Sequence, residues 1–144
     1  MGKVTLTIIR GLPGSGKTTT AIDLAWETGA VLIDPDFYLH EAPTHYDDQK
    51  RRQFARMTSM KLLDGAARNG SSAIFSAVIT LREDVEYLIN EYRKNLKQGC
   101  NFQVDVIDMP LLTVEESLAR NIHGSTRKEV KSMVAKWQPW EVEK

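Results

Sequence analysis

The stretch IIRGLPGSGKTT, residues 8–19, constrains this chain more than any other. Residues 4–9 are β-branched or apolar and predict a short buried strand. That strand runs into Gly11-Leu12-Pro13-Gly14-Ser15-Gly16-Lys17-Thr18, which matches G-x-x-x-x-G-K-[ST] at every position. Glycines at this spacing let successive backbone N–H groups turn inward as a nest for an anion. The helix expected to follow adds the positive end of its dipole. Lys17 then reaches the β and γ phosphates of a nucleotide, and the Thr18 hydroxyl binds the accompanying magnesium ion. Thr19 belongs to the same nucleotide-binding set. A chance match in a chain this long occurs on the order of once in 200, so a ligand-free glycine turn is the poorer reading. The motif implies binding of ATP or GTP and leaves hydrolysis, transfer and sensing open.

The remaining pattern builds an α/β fold around that turn. A helix is expected over 17–27, with Ala21, Leu24 and Ala25 on one side and Gly29 as its C-cap. Residues 30–33 read as a second strand. Residues 34–46 hold two prolines and two histidines and read mostly as loop. A long helix over 47–68 closes at Asn69-Gly70, and a third strand lies within 72–79. Helical spacing of Val85, Leu88, Ile89, Tyr92 and Leu96 predicts a helix over 82–98. A fourth strand falls at 102–110. Thr113, with Glu116 at the capping-box position, starts a helix to about 121, and a last helix runs from 125 or 126 to 137. This alternation predicts a P-loop, nucleotide-kinase-like fold: a mostly parallel four-stranded sheet between helices, with a C-terminal helical lid at about 113–137. Ligands of such sheets sit at the carboxyl ends of the strands.

The 144 residues suit a single domain, 1–144. Nineteen basic and 19 acidic residues cancel, so any affinity for nucleic acid must come from local patches. A single cysteine, Cys100, precludes an intrachain disulfide and fits a reducing cytoplasm. No stretch approaches the roughly 18 apolar residues of a membrane span, and no membrane partner is expected.

The segment LIDPDFYL puts Asp34 and Asp36 just beyond the second strand. A kinase needs a carboxylate to accept the proton of the attacking hydroxyl, and Asp36 can face the γ-phosphate. The bland alternative is that Asp36 caps a short helix at Phe37.

Taken together, RGLPGSGKTT, then DPDFYL about twenty residues on, then LARNIHG followed by VKSMVAKWQPW resemble a group of small P-loop kinases. The group includes the phage polynucleotide 5′-hydroxyl kinase domain, the zeta-toxin-like kinases and the phage 5-hydroxymethyluracil DNA kinases, and the pattern is most like the last. The resemblance covers nearly the whole chain. It implies ATP and Mg2+ as cofactors and a cytoplasmic setting, that of a host cell for a phage protein. It implies Asp36 as general base, Tyr38 near the acceptor, and Arg120 at the base of the lid.

Lys17, Asp36, Arg120 and Arg127 are therefore the expected catalytic residues, because guanidinium groups clamp charge developing on a transferring phosphoryl group. Gly124 and Ser125 can hinge the lid. Solvated surface charge is the plain alternative for the lid. His123 either stacks on the base or closes a helix turn, and Trp137 and Trp140 read first as packing residues.

The chain departs from these kinases after the third strand. Ser76 keeps a serine variant and is expected at the substrate, but Ala77 and Val78 replace a usual asparagine and threonine. Asp34 then becomes an outer-shell partner for magnesium beside Thr18. The helix over 47–68 is the most basic stretch. Its Lys50, Lys61 and Arg68 share one edge, while Arg52 and Arg56 lie on another, near Met60, Leu63 and Ala67. Charge so dispersed supports phosphate contacts only weakly. The expected activity is transfer of the ATP γ-phosphate to a nucleic-acid hydroxyl, either a polynucleotide 5′ end or a 5-hydroxymethyl pyrimidine in DNA. A small-molecule kinase of zeta-toxin type and a non-catalytic ATP-binding module stay open beside it.

Overall fold

Alternation along strand β1 (Lys3–Arg10) decides how the molecule is layered. Val4, Leu6 and Ile8 point to one face of the sheet and Ile9 to the other, and all are buried. A strand apolar on both faces belongs in the middle of a covered parallel sheet. The computed structural model, which describes residues 2–120 and 124–140, places β1 there. The sheet order is β2 (Val31–Ile33), β3 (Ala73–Ala77), β1, β4 (Asn101–Asp108), and every pairing is parallel. The first face packs on helices α3 (Asp48–Arg68) and α4 (Arg82–Asn95) in a core that includes Leu6, Ile8, Leu63, Phe75, Val85 and Tyr92. The second face buries Ile9 and Ile74 against Ala21 of α1 (Lys17–Thr28).

Pairing of β1 with β3 aligns Ile9 with Ser76 and Arg10 with Ala77. The phosphate loop and the segment after β3 therefore leave the sheet side by side. Between β2 and α3, where a loop is expected, the chain forms helix α2 (Pro35–Glu41). The reason is local. The Asp34 carboxylate accepts a hydrogen bond from the Asp36 N–H at 3.0 Å, and Pro35 stands at the first helical position with its φ already set. Asp34, and not Asp36, is thus the cap. Helix α4 also stops earlier than expected, at Asn95, because Leu96 turns extended and Lys97 N–H donates to Ala67 O at the end of α3.

The lid consists of α5 (Val114–Arg120) and α6 (Arg127–Lys136). Reciprocal capping boxes start both: Thr113 with Glu116, and Thr126 with Glu129. No helix among the described residues is long and apolar enough to cross a membrane.

Candidate active site

The turn from β1 into α1 favours glycine at its bends. Gly14 and Gly16 adopt φ of 82° and 88°, the left-handed region that other residues enter at a cost of about 1–2 kcal/mol. A Cβ on Gly14 would also lie 2.5 Å from Arg120 Cβ, so α5 rests directly on the loop. Ser117 Oγ donates to Pro13 O at 2.6 Å and fixes that contact. Within this cradle Lys17 is 4% exposed. Burial lowers the pKa of its ammonium, and the carboxylates of Asp36 and then Asp34 pull it back up. A cation desolvated beside two acids at the head of a helix suits a polyanion.

Asp34, 2% exposed, serves two elements. One oxygen caps α2, and the other lies 3.5 Å from Thr18 Oγ1. A hydroxyl beside a buried carboxylate suits magnesium carried on nucleotide phosphates. Among the described residues no three His, Cys, Asp or Glu side chains gather to hold a cation without them.

A cleft of about 680 Å³ opens from Pro13 and Lys17, past Asp34 and Asp36, to Gly124–Thr126 and Glu129 of the lid. A second cavity of about 600 Å³ continues beyond Asp36, over Met60, Phe75, Ile79 and Leu88. Asp36, Arg52, Val78, Glu129 and Met133 line both. The acid therefore stands at the junction, with the phosphate loop on one side and an apolar-floored chamber on the other. Arg52 Nη2 and Glu129 Oε2, 3.6 Å apart, link α3 to α6 across that junction.

The other expected site residues fall in different places. Arg120 is exposed at the end of α5, against Gly14. Arg127 makes a two-pronged pair with Glu115 of α5, away from the lining of both cavities. Thr19 is exposed on the first turn of α1. Tyr38 packs toward the main core, where burial, and next Asp34, push its phenol pKa up. Ser76 is fully buried and its hydroxyl has no hydrogen-bond partner among the described residues. Ala77 and Val78 line the cleft in its place. Trp137 and Trp140 pack, the first under Arg10 and the second against the main core. His123 lies outside the described residues.

Four arginines matter in ways that spacing alone does not convey. Arg51 donates to the backbone oxygens of Leu39, Pro43 and Tyr46, tying α2 to α3. That tie walls the Arg52 and Arg56 edge of α3 into the second cavity, beside Ser59 and Met60. Arg10 is fully buried at the end of β1. Its signal was a charge closing an apolar strand, because a buried guanidinium must find partners.

A parallel sheet ordered 2-3-1-4, with a glycine-rich phosphate loop leading into α1, defines a P-loop kinase-like, nucleotide-binding fold. The chain belongs to the AAA domain family (AAA_33), whose profile matches residues 6–140. Solved structures agree on the fold. A chain of the Pnkp1/Rnl/Hen1 RNA repair complex matches with TM-score 0.68 and 19% identity over 94% of this chain. This chain spans only 44% of that one. A protein from Chloroflexus aurantiacus matches with TM-score 0.71 and 20% identity, over 92% of this chain and 76% of that one. Shikimate kinase from Acinetobacter baumannii matches with TM-score 0.54 and 15% identity, over 92% and 75%.

Proposed function

We propose that this protein is an ATP-dependent kinase acting on a hydroxyl of a nucleic acid, either a polynucleotide 5′ end or a 5-hydroxymethyl pyrimidine in DNA. The observation that carries the reading is the place of Asp36 between two connected cavities, one holding Lys17 and the other free for an acceptor. A sensor that only bound nucleotide would need no second chamber and no acid between them. In the proposed reaction the acceptor hydroxyl enters the second cavity and gives its proton to Asp36 as its oxygen bonds to the γ-phosphorus. The bond to the leaving ADP oxygen breaks in line. Lys17 and the loop N–H groups stabilise the phosphoryl oxygens. Magnesium, when bound, neutralises charge on the nucleotide phosphates, and Thr18 with Asp34 would hold it. Arg120, whose Cβ lies against Gly14, would clamp the phosphates from the lid. Arg127 reaches them only after releasing Glu115.

Acceptor identity is read from α3. The second cavity is not a closed pocket. It passes Arg52 and Arg56, and a shallower groove carries on past Gln49 and Gln53. Arg56 makes no ion pair among the described residues, so its charge is open to an acceptor phosphate. Arg52 and Arg56 share the groove with Asp48, Asp84 and Glu129, and Arg52 is paired with Glu129. The preference for a phosphate chain over a small neutral sugar therefore rests on Arg56. The Pnkp1 likeness in fold supports the same direction. The likeness to shikimate kinase, together with the apolar chamber floor, keeps a small-molecule acceptor as the second reading. Transfer from γ-labelled ATP to a panel of 5′-hydroxyl oligonucleotides, hydroxymethylated DNA, nucleosides and sugars separates them. Label on oligonucleotide or DNA alone is the expected result. Label on a nucleoside or sugar alone would reverse the choice.

A further inference from the structure

Arg10 is a fully buried cation at the end of β1, and it binds groups from distant parts of the chain. Its guanidinium, with five N–H donors in a fixed fork, reaches three separate stretches of chain. Nε and Nη2 donate to Ile79 O at 3.0 and 2.7 Å, and Nη2 to Thr80 O at 3.3 Å. Nη2 also donates to Gln138 O at 2.8 Å, beyond the end of α6. Nη1 pairs with Asp108 Oδ1 at 2.9 Å, where β4 ends. The plane stacks on Trp137, 4.5 Å from the ring centroid.

The partners are themselves cross-linked. Gln138 N–H donates to Thr80 O, Arg82 N–H donates to the Gln138 side chain, and Trp140 N–H donates to the second Asp108 oxygen. Residues 78–80 line the acceptor chamber, and α6 brings Glu129 and Met133 into it. Arg10 itself is joined by one peptide bond to Gly11 of the phosphate loop.

We propose that Arg10 is a positioning residue that sets the acceptor wall and the tail of the lid in register with the phosphate loop. Its side chain lines neither cavity. The fork holds residues 78–80 and 137–138 at a fixed offset from the loop that holds the donor. Displacing that wall by about 1 Å is expected to lower transfer by about 10²-fold while the donor site stays whole. The transfer arm of this inference rests on the kinase reading above; its conformational arm does not.

Arg10→Lys tests it, since lysine keeps the charge near Asp108 but lacks the fork. Asp108→Asn is the milder companion and carries the test should Arg10→Lys fail to fold. Amide hydrogen exchange, affinity for a non-hydrolysable ATP analogue, and transfer kinetics are measured on the full chain. The expected result is faster exchange confined to residues 78–82 and 127–140 and unchanged analogue affinity. Transfer should be lost mainly through a raised acceptor KM. Local exchange changes in the variants, with a wild-type chain that itself transfers to no acceptor, would support the positioning role and sink the kinase reading instead. Unchanged exchange in both variants, or a uniform rise across the chain with loss of analogue affinity, would overturn the proposal.

Discussion

The two halves of the cleft are built on different plans. On the donor side, residues 11–18 form one continuous loop whose working groups are mostly backbone N–H, with Lys17 and Thr18 at its end. On the acceptor side, Asp36 comes from α2, Arg52 and Arg56 from α3, Val78 from the segment after β3, and Glu129 and Met133 from α6. One half is local in sequence and the other is assembled by tertiary packing. A local device tolerates little change, since each residue has a backbone duty. An assembled one can exchange single side chains and keep its outline.

The sharpest way to break this division is at the two residues that meet across it. Lys17→Ala is expected to abolish both nucleotide binding and transfer. Asp36→Asn is expected to lower transfer by about 10²–10⁴-fold and leave the affinity for an ATP analogue, measured by calorimetry, where it was. Full transfer by the Asn variant would remove Asp36 as the base. Next in size is Gly14→Ala. The left-handed φ alone costs about 1–2 kcal/mol, and the new methyl collides with Arg120 on α5. Analogue affinity should fall by about 10-fold or more, that energy converted through RT, and the melting temperature should drop with it.

On the acceptor side a smaller and different effect is expected. Arg56→Ala removes one charge-assisted contact to phosphate, worth about 1.5–3 kcal/mol. It should raise the KM for an oligonucleotide acceptor while the KM for ATP stays constant. Equal shifts in both would mean that the halves are not separable.

The smallest effect belongs to a control in the core. Tyr92 donates its O–H to Ser71 O at 2.5 Å, and burial, with Cys100 nearby, pushes its pKa up from 10.0 to about 12. The folded chain therefore keeps a proton that the unfolded chain loses near pH 10. That contribution is complete below pH 10 and disappears as pH rises through about 12. Tyr92→Phe should cost about 1 kcal/mol at neutral pH and flatten the fall of melting temperature between pH 10 and 12, with neither KM affected.

What could be read from the linear chain follows the same division. The phosphate loop was legible because its chemistry lies in consecutive residues, and the β-α order because Val4 to Ile9 and Val85 to Leu96 carry clean periods. The helix over Pro35–Glu41 was obscured by prolines and histidines, although the pair Asp34-Pro35 is an N-cap followed by a favoured first residue. The chamber was illegible for another reason. Arg52 and Arg56 sit on one edge of a helix with basic residues all round. Burial of Leu63 and Ala67 turns that edge inward, and α2, tied on through Arg51, walls it into the cleft. Tyr38 and Ser76 were drawn to the acceptor by resemblance, whereas the first packs toward the core and the second lies beneath it. The signal at Arg10, a charge closing an apolar strand, is masked by the strong motif that it directly precedes.

Asp34 has a consequence for anyone who wishes to retarget this fold. One oxygen orients the helix that presents the acid, and the other faces the hydroxyl at the head of α1. A substitution there would change two properties together, and a selection for new acceptors that admitted it would be reading both. Of the two cavities, positions 56, 60, 84 and 87 line the second alone and carry no such double duty toward the donor. A library confined to those four would explore acceptor preference with the donor site held constant, and position 34 is the one to leave alone.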